Sequence, residues 1–169
     1  GIFLSPFLHG SLEHIFGNSV PIFVLIFLLY QFYPFIARKI LFLGWILTGF
    51  LVWLLPSLDI DTGTFNPICI IGASGIVYVL AFFLFFSGVF RWNMKFLTVS
   101  LVVALYYGSL IWGVLPEELF SNLAEPSRIS WQSHLSGAVI GIIMAFVFRK
   151  SGERKVRFIW EFPNYYSEK

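Results

Sequence analysis

The stretch ICIIGASGIVYVLAFFLFFSGVF, Ile68–Phe90, runs for 23 residues without a charge. A helix rises about 1.5 Å per residue, so a run of this length crosses about 30 Å of hydrocarbon. Inside lipid the backbone must satisfy its own hydrogen bonds, and the stretch therefore reads as a transmembrane helix. Four further uncharged runs surround it. One goes from Ile15 to Ala37, broken near its end by Tyr33-Pro34, and a second from Ile40 to Leu58, stopping at Pro56 and Asp59. The last two cover Phe96 to Leu115 and Ile129 to Phe148. The fold class expected is an all-α, polytopic membrane helix bundle with five spans in the chain.

Composition points the same way. Of 169 residues, 58% are hydrophobic, 20% aromatic and 12% charged, and the mean hydropathy is +0.83. A water-soluble domain carries about 25% charged residues, and disorder needs low hydrophobicity with high net charge; both classes are excluded. The net charge of +2 gives no electrostatic case for nucleic acid as a partner. A lone cysteine, Cys69, rules out an internal disulfide framework and a cysteine-based metal cage.

The charges between the runs set a topology. Arg38-Lys39, Arg91 with Lys95, and the cluster from Arg149 to Arg157 alternate with Asp59 and Asp61 and with Glu117, Glu118 and Glu125. Basic loops face the cytoplasm, so the region of His9 faces outward. Trp92 and Trp131 fall at span ends, where interfacial aromatics sit. A chain starting outside at Gly1 implies a further helix upstream. The expected organisation is a membrane core over residues 1–150 and a cytoplasmic tail over 151–169, in a bacterial inner membrane.

Polar groups inside spans are expensive and mark function by default. Here His9, Glu13, His14 and Asn18 gather at the outer end of the first span. Ser74 lies four to six residues inside the third, within Gly72-Ala73-Ser74-Gly75, and His134 lies just inside the fifth. Alone, the glycines are a surface for close helix packing and the histidines interfacial residues. Together, three non-adjacent spans place a nucleophile, a base and hydrogen-bond donors at one depth. A serine hydroxyl attacks only when a neighbouring base takes its proton, and histidine suits that role. Gly75, with Gly137 and Gly141 below His134, would let spans three and five touch. Tyr78, four residues after Ser74, shares its helix face and can stack on the His134 ring. With no acidic residue in a third position, the pair reads as a Ser–His dyad.

Acyl transfer also needs donors for the developing oxyanion. His14 and Asn18, four apart, share a helix face, and the Ser74 N–H is a third candidate; His9 supports the group. Water would reach the dyad through a cavity lined by His9, His14 and Asn18. Leu119 and Phe120, in the loop from Pro116 to Ser130, would form a lid, and the fourth span would move aside for substrate. A zinc protease is disfavoured, because its two histidines sit four apart on one helix face, whereas His9 and His14 are five apart. No metal and no cofactor are expected.

The ordered set His9-x4-His14-x3-Asn18, Gly72-Ala73-Ser74-Gly75 with Tyr78, and His134-x2-Gly137-x3-Gly141 resembles the rhomboid intramembrane serine proteases. The resemblance covers residues 9–148. It implies a six-helix core of which this chain holds helices two to six, with Ser74 as nucleophile and His134 as base. It likewise implies His14, Asn18 and the Ser74 amide as the oxyanion hole, and transmembrane proteins as substrates. Two other classes compete. A non-catalytic rhomboid-like scaffold would usually lack the serine or the histidine. A transporter or channel would carry polar groups near the midplane.

Overall fold

The chain reverses direction at the points where helix formation is chemically obstructed, and the computed structural model, which describes residues 3–54, 71–115 and 131–151, shows what those reversals build. A 3-10 turn at Ser5–Phe7 leads into helix α1, Leu12–Phe32. Ser11 caps α1, its side chain accepting the His14 N–H at 3.1 Å, which fixes where the helix begins. Pro34 removes a donor and disfavours helix in the residue before it; the helix stops at Phe32 and the chain turns. Helix α2, Ala37–Leu54, starts four residues after Tyr33, so Arg38 and Lys39 lie in its first turn and not in a loop between spans.

Helix α3 covers Ser74–Arg91, α4 covers Met94–Tyr107, and α5 covers Trp131–Val147. Two boundaries depart from the hydropathy reading. The helix of the third span, α3, begins only after Gly72, whose φ of +106° is a left-handed conformation that breaks the helical ladder. Ser74 is consequently the first residue of α3, not one buried a turn or more inside it. The fourth span is not α-helical throughout, because after Tyr107 it tightens into a 3-10 helix, Gly108–Val114.

Among the described residues there are five α-helices and no strand, and four stretches are long and apolar enough to cross a membrane. They are α1, α2, α3 and α4 with its 3-10 continuation; α5 is apolar but has 17 residues. The outward faces carry large apolar side chains, such as Phe23 at 75% exposure and Leu105 at 73%. Water would not tolerate so many of them, and lipid does. The chain is an integral membrane protein.

Helix α3 is the centre. Its residues Leu80, Phe83 and Leu84 are fully buried, with Leu25 and Leu29 of α1 and Ile40 of α2 in the same core. Against α5 the backbones almost meet. A methyl group on Gly137 would strike the Gly75 carbonyl, and one on Gly141 would lie 2.6 Å from the Val79 carbonyl oxygen. Small residues at such seams substitute for the water-driven force that lipid lacks. Ser100 Oγ of α4 adds a polar link, donating to the Phe85 carbonyl of α3 at 2.6 Å.

Arg91 fastens the end of the bundle opposite Ser74. It donates to Ser87 Oγ at 3.1 Å, to the Phe148 carbonyl at 2.6 Å, and to the Ser151 carbonyl. Its guanidinium also lies 5.1 Å from the Tyr33 ring centre and 5.0 Å from that of Phe96. One cation thus bonds carbonyls just past the C-terminus of α5 while resting on the Tyr33 ring at the end of α1 and the Phe96 ring of α4. With the register of α1, α3, α4 and α5 pinned there, the other end is free to hold a site.

Candidate active site

Three helix starts and one helix tip meet at the unpinned end. Ser74 begins α3 and is half-buried; His134 lies in the first turn of α5 at 7% exposure. The His134 ring stacks on Tyr78, 4.2 Å between centres and 12° between planes. Ser74 lies one turn outward of Tyr78 on the same helix face. Among the described residues no hydrogen bond joins Ser74 to His134. The glycine seam sets Gly75 against Ser133, so the residue after Ser74 faces the residue before His134.

The donors converge one step away. A methyl group on Gly72 would sit 2.7 Å from His14 Nε2 and 3.6 Å from Asn18 Nδ2. Gly72 is thus demanded twice, by its positive φ and by the two side chains packed over it. Asn18 is 8% exposed, and its Nδ2 is buried without a hydrogen-bond partner. Burying an unused amide donor costs about 1–3 kcal/mol, and such orphans call for an explanation. The first backbone bonds of α3 run from the Ile76 and Val77 N–H groups to the Ala73 carbonyl, at 3.0 and 3.3 Å. The Ser74 amide precedes that ladder. His9 packs edge-on against His14, ring centres 5.1 Å apart. The Gly72 N–H donates to the Ser5 carbonyl at 2.9 Å, tying the opening turn of the chain to this corner.

A cavity lies next to the site. A space of about 540 Å³ between α1 and α2 is lined by His9, Asn18 and Ala73 at one end. It then runs past Ile22 and Ile26 to Arg38 at the far end of the helices, and His14 is not on its wall. Its lining is mostly apolar, so it touches the donor corner but is not a polar channel. The expected lid between Pro116 and Ser130, Cys69, and the tail beyond Ser151 lie outside the described residues.

Two contributors were not picked out from the sequence. Ser11 had a legible signal, a serine three residues ahead of His14 in the N-cap position. Gly113 had almost none. Its carbonyl oxygen lies 2.8 Å from His134 Nδ1, a contact made by the backbone of the 3-10 segment. The remaining sequence-derived candidates, Ser74, His134, His14, Asn18, His9, Tyr78, Gly72, Gly75, Gly137 and Gly141, all fall on this corner or on the α3–α5 seam beneath it.

The chain matches the Rhomboid domain family over residues 1–151. It is 33% identical over 159 residues to uncharacterized proteins of Mycobacterium bovis and Mycobacterium tuberculosis, covering 93% of this chain and 62% of each relative. An uncharacterized protein of Mycobacterium leprae is 31% identical over 164 residues, 95% of this chain and 60% of the relative. The chain thus spans about three-fifths of the length of these relatives. No solved structure matches it.

Proposed function

We propose that this chain, which belongs to the rhomboid family by its match over residues 1–151, is an intramembrane serine endopeptidase that cleaves transmembrane proteins near their outer ends. The observation that carries the reading is the His134 ring stacked on Tyr78 one helical turn from Ser74. The unpartnered Asn18 amide beside Gly72 supports it, because it is a donor prepared for an acceptor that the fold does not supply.

The chemistry follows from these positions. Ser74 Oγ attacks the scissile carbonyl carbon while His134 takes its proton. The carbonyl oxygen becomes an oxyanion, and the donors near it are His14 Nε2, Asn18 Nδ2 and the Ser74 N–H. His134 then gives its proton to the leaving amine nitrogen as the C–N bond breaks, leaving an ester on Ser74. Water, deprotonated by His134, attacks the ester and frees the serine. The basic end, with Arg38, Lys39, Arg91, Lys95 and Arg149, would face the cytoplasm and the site would open outward. Mycobacterial relatives fit a bacterial inner membrane. Residues 1–150 would be the protease core and 151–169 a cytoplasmic tail.

A serine-reactive phosphonate tests the reading. It should label the wild-type chain, and Ser74→Ala and His134→Ala should each abolish labelling and cleavage while the helical circular dichroism persists. Chelators should leave cleavage unchanged, and Cys69→Ala should remain active. Cleavage that survives Ser74→Ala but stops with a chelator would replace the serine mechanism with a metal-dependent one. Client binding with neither labelling nor cleavage would assign a scaffold instead.

A further inference from the structure

In serine hydrolases a third group orients the base, and among the described residues no carboxylate is hydrogen-bonded to His134, whose Nδ1 instead meets the Gly113 carbonyl. We propose that the backbone carbonyl of Gly113, carried by the 3-10 tip of α4, is that third group. In this role it fixes the His134 ring with its proton on Nδ1 and the Nε2 lone pair free for Ser74. The inference rests on the protease reading for its catalytic meaning, but the geometry stands on its own.

A carbonyl oxygen can only accept. The 2.8 Å contact between Gly113 O and His134 Nδ1 therefore requires Nδ1 to donate. A neutral imidazole has one N–H, so Nε2 is left as the acceptor. A base poised to take a proton needs that tautomer, and in triads a buried aspartate enforces it. Within a membrane an ionised carboxylate would be costly to desolvate. A peptide carbonyl provides the same directional acceptor without a charge.

The local sequence keeps the carbonyl available. In a 3-10 helix each carbonyl accepts from the N–H three residues on, as Trp112 O does from Leu115 at 3.3 Å. For Gly113 the residue three on is Pro116, which has no N–H. Position 113 also has no room for a side chain. A methyl group there would overlap Tyr78 Oη and lie 3.2 Å from His134 Nδ1. Glycine lets the α4 backbone reach the Tyr78–His134 stack closely enough to bond it. Just before this contact, Ile111 and Trp112 are 57% and 67% exposed. A displacement of the tip that admits substrate would also release the ring, and the base would regain its orientation only when the tip is seated again.

The test reads the proton directly. With ¹⁵N-labelled histidine, NMR of the chain in lipid separates protonated from unprotonated ring nitrogens, and His134→Ala identifies the His134 signals among the three histidines. The expected wild-type result, at a pH where the ring is neutral, is a proton on Nδ1. Gly113→Ala should yield a tautomer mixture and lower kcat by about 10²-fold, the scale of an ångström-sized misplacement, with KM within a few-fold. The double variant Gly113→Ala with Tyr78→Phe removes the hydroxyl that the new methyl meets. It should recover the Nδ1–H form and part of kcat. A wild-type proton on Nε2 would overturn the proposal. So would a Gly113→Ala chain whose kcat falls with the tautomer unchanged, or one that keeps both tautomer and kcat. A wild-type chain with the proton on Nδ1 that neither cleaves nor labels at Ser74 would support the Gly113 contact and overturn the protease reading.

Discussion

Helices α3 and α4 are similar in sequence character and opposite in situation. Both are apolar, rich in aromatic and β-branched residues, and long enough with the 3-10 extension to cross the membrane. Yet ten of the 18 residues of α3 are buried, against four of the 14 in α4. α3 meets α5 backbone to backbone through Gly137 and Gly141. α4 holds on through a narrower strip, with Phe96, Val99, Ser100 and Val103 buried, and exposes Leu105 and Tyr106. The difference separates two requirements. Ser74 and His134, the proposed nucleophile and base, sit on the tightly seamed pair. Gly113, proposed to orient the base, sits at the tip of the less buried helix.

The sharpest attack on this contrast is Gly141→Val. Its new atoms would press on the backbone of Val79 and Phe83, and overpacking without relief should cost about 3 kcal/mol or more. Thermal unfolding in detergent should show a large drop in Tm, with cleavage lost alongside it. A stable, active Gly141→Val chain would mean the seam is not what aligns the dyad. Asn18→Ala should act on rate alone. Its Nδ2 has no partner within the fold, so stability should hold within about 1 kcal/mol. A lost oxyanion donor elsewhere costs about 10²–10³ in rate. With His14 and the Ser74 amide still present, a smaller fall in kcat is expected, at nearly constant KM. Steady-state kinetics paired with a melting curve separates the two quantities, and a fall in Tm without a fall in kcat would make Asn18 a packing residue only. The smallest effect should come from Leu105→Ala on the lipid face of α4, within about 0.5 kcal/mol. If it destabilises the chain as Gly141→Val does, α4 is covered by more than lipid.

How far this could be read in advance depended on the kind of interaction. The helices and their order were plain from uncharged runs, and Tyr33-Pro34 marked the first reversal. The four-residue spacings of Ser74 with Tyr78 and of His14 with Asn18 put each pair on one face, because helix geometry alone dictates that. The start of α3 at Ser74 is not legible in hydropathy, which runs on through Gly72 and is blind to its single positive φ. The Gly113 contact was out of reach for a related reason. It is made by a backbone atom, and every residue has the same backbone.

What the sequence determined by itself is the solvent. Apolar runs of this length commit the chain to lipid, helix follows from unsatisfiable backbone groups, and alternating charges bias which loops stay inside. What only the tertiary structure decided is which apolar faces meet protein and which meet lipid. Lipid tails and leucine side chains are equally apolar, so transfer energies cannot distinguish them. Close packing can, and here it selected α3 and α5 as the rigid pair, left α4 at the edge, and set the carbonyl of its tip against His134.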